Sequence, residues 1–464
     1  MKLSHTLGSM SAAFDDPNLV SSAGLVPTLA LAEAAGLRTL AQGHLTVPTD
    51  KGANAGFKVA SLVAGMAAGA DSIDDMAMLR QGGMGRVFAR PYAPSTLGSF
   101  LRAFTFGHVR QLDAVASRFL TRLGERAPLL PARVDTDGHV LVDVDDTIIE
   151  VHGYAKQGAG FGYSGVRGLN ALLATATVPG AAPVVVAQRL RKGSCGSPRG
   201  AKRLVTDALK TTRGLSDRRP LVRADSAFYG RGLVLSAVRA GAEVSVTVRM
   251  NPQVRAAISA IDENAWKTIE YPDAVYDEPT GRWISRAEVA ETCFTAFTTK
   301  KKADQVPGRL VVRRIPDLNS TSGQDSLFDT WRFHAFFTTT NPEVLDTVAA
   351  DKTHRQHAII EQVHADLKNA ALAHLPSGRF AANAAWLVLA VIAFNLTRAA
   401  ATLSGPALAK ATTATIRRKL ITVPARVASS ARKRTLHLPT SWPWERAWTR
   451  LFAAATGPPT PATT

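Results

Sequence analysis

Three acidic positions, Asp145, Asp225 and Glu361, stand where a strand end or a helix face would aim a carboxylate at a common point. Asp145 ends the alternating run His139-Val-Leu-Val-Asp143-Val-Asp145-Asp146, and Asp225 ends the short apolar run Pro220-Leu-Val-Arg-Ala-Asp225. Carboxylates gathered at such a sheet edge would hold Mg²⁺ or Mn²⁺, hard ions that prefer oxygen ligands. Glu361 lies in the run from His354 to Lys368, where His354, His357, Glu361, His364 and Lys368 recur at steps of three and four, and Ile360, Val363 and Leu367 form the adjoining apolar stripe. This spacing predicts one helix, docked by its apolar side, that presents a carboxylate among cations. Such a face suits metal and phosphate together. Asp143, Asp145 and Asp146 fall within four residues. Alternation puts Asp143 and Asp145 on one face and Asp146 on the other, which leaves Asp143 as the alternate first ligand.

The elements that must position these groups follow from periodicity. Residues 1–130 are helical in pattern: a string from Leu25 to Leu40, an Ala-rich run from Lys51 to Leu79, and a helix capped by Ser95 or Thr96 that runs through Phe100, Phe104, His108, Leu112 and Phe119. From Gly138 the texture changes to strands, His139–Asp146, Thr147–His152, Ala171–Thr177 and Pro183–Gln188. A helix (Lys202–Thr212), the strand ending at Asp225, a helix (Gly232–Ala240) and a strand (Glu243–Arg249) come next. That order indicates an α/β core over residues 137–250. Residues 251–340 read as a β-rich insertion, with a polar stretch from Asp317 to Asp329 and strands at Arg309–Ile315 and Trp331–Thr340. Helices return over 341–403, and 404–464 form a basic C-terminal region ending in the Gly457-Pro-Pro-Thr-Pro tail, expected to be disordered.

The chain carries 55 Lys plus Arg against 37 Asp plus Glu, a net charge of +18. Two windows hold the whole excess: residues 189–223 have eleven basic and two acidic side chains, and residues 410–450 have ten and one. Charge so concentrated marks a polyanion binder, with a solvated basic surface as the plain alternative. The first window, with Arg191, Lys192, Arg199, Lys202 and Arg203, falls between the two aspartates and is expected to contact a DNA backbone beside the site. Its Gly193-to-Gly200 stretch reads as a flexible loop. Trp442, Trp444 and Trp448 in the second window suit packing better than base stacking. Two cysteines exclude a disulfide framework and a Cys-rich zinc site. The longest apolar run, Ala384 to Phe394, is 11 residues, short of the roughly 20 a bilayer span needs. It reads as a buried helix. With no apolar signal core at the N-terminus, the expectation is a cytoplasmic protein with no membrane contact.

The blocks Asp143-Val-Asp145-Asp146-Thr147 and Arg223-Ala-Asp225-Ser226, with Glu361 seven residues before Lys368, resemble the catalytic set of DDE transposases, above all the IS1380 family of insertion sequences. The resemblance extends to the block from Ala93 to Leu112, to His152-Gly153-Tyr154 and to His374-Leu-Pro-Ser-Gly-Arg-Phe. It implies an RNase H-like catalytic core, a mixed sheet with flanking helices, interrupted by a β-rich insertion and preceded by a helical DNA-binding region. It further implies that Asp145, Asp225 and Glu361 hold two Mg²⁺ or Mn²⁺ ions, which would activate a water or a 3′-hydroxyl and stabilise the leaving oxygen. Lys368, His357, His354 and Arg355 would contact phosphate. The partners implied are double-stranded DNA, both the terminal inverted repeats and the target, and at least a second protomer. The spacing fits: 80 residues separate Asp145 from Asp225 and 136 separate Asp225 from Glu361, room for the insertion. In the family's Tyr and Arg positions this chain has His354 and His357, cations only in part near pH 7.

Two other readings compete. A haloacid dehalogenase-like phosphohydrolase would use Asp143 as nucleophile and Asp145 as acid/base, but its later acidic pair in a Gly-Asp context has no counterpart in residues 226–464. A catalytically impaired DNA-binding relic of a transposase would keep the fold and the basic windows.

Overall fold

The computed structural model describes residues 4, 7–131, 138–277, 282–316, 331–430 and 433–457. The stretch Asp317–Asp329 and the tail beyond Gly457 therefore lie outside the described residues.

The central strand is β2 (Val140–Glu150), which follows the short β1 (Leu19–Val20). It runs unbroken through the acidic cluster where the sequence suggested two strands. The reason is the antiparallel ladder to β4 (Arg167–Thr177), continuous from Leu141↔Thr177 to Glu150↔Gly168. Val140, Val142 and Val144 are fully buried, as expected of a β-branched strand covered on both faces. β3 (Gly160–Phe161) and β5 (Val184–Lys192) also pair with β4. On the other side, β6 (Pro220–Ala224) and β7 (Glu243–Thr247) run parallel to β2, in the order β5-β4-β2-β6-β7. Parallel neighbours need crossovers, and α8 (Ala201–Arg213) and α9 (Arg231–Arg239) supply them.

After α10 (Pro252–Ser259), strands β8 (Lys267–Asp277), β9 (Arg282–Ala296), β10 (Val306–Pro316) and β11 (Trp331–Thr338) form the β-rich stretch. They do not make a separate sheet. β11 pairs antiparallel with β7, Phe336 opposite Thr247, so one sheet of ten strands spans both parts.

The N-terminal helices are α1 (Leu25–Ala34), α2 (Leu37–His44), α3 (Thr49–Gly52), α4 (Ala55–Ala68), α5 (Met84–Val87), α6 (Pro94–Arg102) and α7 (Phe106–Gly124). The Leu25–Leu40 string breaks at Gly36, whose φ of +78° ends α1, and the expected Ser95-to-Phe119 helix breaks where Thr105 and His108 close a capping box. α11 (Thr347–Arg355) and α12 (Ile359–Lys368) precede α13 (Phe380–Ser404). α13 is long and apolar enough to cross a bilayer, but 89% of its apolar window is buried inside the protein, against α7, α4 and β5. Its Asn395 takes Val185 N–H at 2.9 Å and donates to Val185 C=O at 2.8 Å, closing the edge of β5. The chain ends through α14 (Pro406–Ala409), α15 (Thr413–Ile416), the ribbon β12 (Ala425–Ser430) and β13 (Lys433–His437), and α16 (Glu445–Thr456). β12 pairs with β1, and Val20, Ala64, Leu420, Val427 and Leu451 share one core, so the two terminal regions fold as a unit.

Candidate active site

The parallel register between β2 and β6 sets Asp143 opposite Arg223 and Val144 opposite Ala224. Asp225, one residue beyond β6, thus stands beside Asp145. Its carboxylate is exposed and caps the turn Ser226–Phe228, accepting from Ala227 N–H at 3.0 Å. The Asp145 carboxyl is pushed up to about 7. Burial is the main cause, and the charges of Asp225 and Asp146 add to it against the Asp146 N–H and His357, which lower it.

The predicted single helix from His354 to Lys368 is interrupted. α11 ends at Arg355, residues Gln356–Ala358 make a 3₁₀ turn, and α12 carries Glu361. α12 then follows β2 in the same direction. His357 Nδ1 is 3.1 Å from Asp143 Oδ1, His364 Nδ1 is 3.6 Å from Asp145 Oδ2, and Lys368 Nζ is 3.3 Å from Thr147 Oγ1. Glu361, exposed and one turn before His364, is therefore carried on the helix that lies along the Asp143-to-Thr147 edge. Among the described residues, no three His, Cys, Asp or Glu side chains converge closely enough to hold a metal ion. His364 is buried, and burial, with Lys368 and His357 adding, lowers its ring to about 4. It is a neutral packing group beside Asp145.

Several expected roles change with burial. Asp143, the alternate metal ligand, is fully buried: Arg223 donates to its two oxygens at 2.6 and 2.8 Å and His357 takes up one of them as well. Burial alone would raise this carboxyl, but Arg223 and His357 outweigh it and hold it below its usual range. Neither a metal nor an electrophile reaches it, which also removes the dehalogenase-type nucleophile. His354 does not face a phosphate. Its ring stacks on Phe336 and its two nitrogens meet Ser245 Oγ and Thr247 Oγ1 at 2.8 and 3.0 Å. Arg191 is also turned inward, with 5% of its side chain exposed. It pairs with Asp146 and Asn170 and donates to the carbonyls of Gly196, Ser197 and Arg199 at 3.3, 2.8 and 2.7 Å. The Gly193-to-Gly200 loop, expected to be flexible, is pinned by that one guanidinium. Ser197 Oγ adds a bond to Asp146 at 3.1 Å.

Lys192, Arg199, Lys202, Arg203 and Lys368 are exposed, and His357 and Arg355 are half-buried. Asp146 points to the face opposite Asp145. Arg191 and Ser197 of the basic window both bond to it. Arg203 also pairs with Asp207 at 3.1 Å. In the C-terminal window Trp448 is buried and stacks on Phe452, while Trp442 donates to the Lys419 carbonyl, so the tryptophans pack as expected. Arg223, counted in the basic window expected to contact DNA, is instead sealed inside against Asp143; the signal was its place two residues before Asp225, on the same strand face.

The described residues thus set a carboxylate pair on adjacent parallel strands, with a third acid on a helix laid along one of them. The chain matches the family model described as transposase DDE domain group 1 over residues 5–456. It belongs to that family and is a DDE transposase. No curated protein matches it. Among solved structures it is similar to the cryo-EM structure of the piggyBac transposase synaptic complex with hairpin DNA, at 9% identity and a TM-score of 0.41, over 85% of this chain and 79% of that one.

Proposed function

We propose that this transposase serves an insertion sequence of the IS1380 type, binding the terminal inverted repeats of double-stranded DNA, cutting at their ends and joining them to target DNA. The observation that carries this reading is the Asp145–Asp225 pair, one in the middle of β2 and the other just past the end of the parallel β6, with Glu361 on the helix along β2. The order β5-β4-β2-β6-β7, with β4 antiparallel and the rest of the centre parallel, supports an RNase H-like core over 137–250 and 341–403, with 251–340 as its insertion. Residues 1–130 would read the element ends, and 404–464 would add backbone contacts. The work would take place in the cytoplasm, on two protomers or more, since two ends must be joined.

The donor set suits Mg²⁺ or Mn²⁺. It is all oxygen, and a half-buried Asp145 held near 7 beside Asp225 is a site whose crowded negative charge a divalent cation would relieve. Asp145, Asp225 and Glu361 would hold two such ions, which supply Lewis acidity at the phosphorus and at the attacking oxygen. The chain's own part is placement. Asp145 would give up its proton to become a ligand, Asp225 would offer its carboxylate from the exposed strand end, and Lys368, kept beside β2 by Thr147, would meet a phosphate oxygen. His357 is engaged with Asp143 and offers its remaining ring nitrogen. Lys192, Arg199 and Lys202 would hold the backbone of the flanking duplex. The alternative relic has one specific point in its favour, the inward turn of His354 where the family has Tyr.

The test is incubation of the protein with a labelled duplex carrying its element end and Mg²⁺ or Mn²⁺, wild type against Asp225→Ala. Metal-dependent cleavage, lost in the variant with binding kept, supports the proposal. Tight binding without cleavage favours the relic, and no binding overturns both.

A further inference from the structure

We infer that the buried Arg223–Asp143 pair is a positioning device that fixes Asp145, Asp225 and Glu361 relative to one another; the inference rests on the reading of those three as metal donors. Both side chains have 0% exposure, and the guanidinium meets both Asp143 oxygens in a fork, Nε at 2.6 Å and Nη2 at 2.8 Å. Asp143 and Arg223 are direct register partners across β2 and β6. Side chains alternate with period two, so Asp145 and Asp225 lie one rung further along the same face. Locking one rung fixes the lateral distance of the next.

The remaining donors of Arg223 reach across to the third carboxylate's helix. Nη1 donates to the Thr353 carbonyl and Nη2 lies 3.4 Å from the Gln356 carbonyl. Those carbonyls belong to the end of α11 and the 3₁₀ turn, where a helix leaves its last C=O groups in need of donors. His357, from the same turn, touches Asp143. α12 starts at Ile359, so the orientation of Glu361 is set by a turn whose backbone is held by Arg223.

Stability alone gives little reason for the pair. A buried ion pair is often no better than apolar residues of equal volume, because desolvation offsets the attraction. What an apolar pair lacks is direction. A planar guanidinium joins a carboxylate and two carbonyls at fixed angles, which a lysine's single ammonium does not reproduce.

The experiment uses the full chain and Mn²⁺ as probe. Free Mn²⁺ is followed by electron paramagnetic resonance, binding of a labelled element-end duplex by anisotropy, and folding by circular dichroism. Asp145→Asn and Glu361→Gln test the metal reading itself: if neither weakens Mn²⁺ binding, that reading fails, and this inference with it. Given that they do, Arg223→Lys is expected to weaken Mn²⁺ binding about tenfold, as loss of a group that orients ligands does, with duplex affinity and the folded spectrum retained. Where Arg223→Lys does not fold, the double variant Asp143→Asn/Arg223→Gln, which buries no lone charge, is read instead. Wild-type Mn²⁺ affinity in a folded variant overturns the inference. So does failure of both variants to fold, which would assign the pair to the fold as a whole.

Discussion

His354 lies flat on Phe336, ring centroids 4.1 Å apart and 7° from parallel, with its two nitrogens on the hydroxyls of Ser245 and Thr247. Burial, with His357 and Arg223 adding, lowers the ring from 6.5 to about 3. The folded chain therefore refuses a proton that the unfolded chain accepts, so this contribution is full above about pH 6.5 and is lost as pH falls toward 3. Urea unfolding of His354→Gln should show a gap to wild type that narrows by roughly 1–2 kcal/mol between pH 7 and 4.5. A gap constant with pH would mean that the ring takes a proton as readily in the fold as in the unfolded chain.

Asp145 behaves in the opposite sense. With its carboxyl raised from 3.8 to about 7, the folded state without metal holds a proton that the unfolded state releases, so stability is lost as pH rises through that window. Asp145→Asn should be more stable than wild type by roughly 1–3 kcal/mol at pH 8 in chelator, and little different at pH 4. Added Mn²⁺ should raise the melting temperature of wild type and not of the variant. Differential scanning calorimetry at the two pH values checks both.

Asn395 closes an edge strand from within the core, with both bonds to Val185 buried. Asn395→Ala leaves two backbone groups without partners and should cost about 2–4 kcal/mol in urea unfolding. Hydrogen exchange at Val185 N–H should speed up more than exchange at the centre of β2.

The two kinds of arginine in the basic window should separate by assay. Arg191→Ala frees a loop and leaves Asp146 partly unpaired, so it should lower stability by about 3 kcal/mol, like the breaking of other buried pairs. Arg199→Ala and Lys202→Ala should leave stability within about 0.5 kcal/mol and weaken duplex binding. Removing either cation from a phosphate should reduce the salt dependence of binding by about one ion. Equal effects of all three on DNA binding would contradict the inward placement of Arg191.

The sequence by itself determined much of this. Alternation and apolar runs located β2, β6, β7 and the crossover helices, because strands and amphipathic helices write their periods directly into residue order. The carboxylates Asp145, Asp225 and Glu361 stood out for the same reason, and the apolar run inside α13 showed that it is core. Only the tertiary structure decided which charges face water. Arg191 and Arg203 are alike in sequence, yet one is sealed under a loop and the other exposed. Asp143 and Asp145 share a strand face, yet the partner strand places a guanidinium on the first and a carboxylate beside the second. The break between α11 and α12 was likewise unreadable, since the 3.6 period continues through it and the donors that hold the turn come from a strand 130 residues earlier. Pairing across the sheet is a long-range choice, and residue order within one element carries no trace of it.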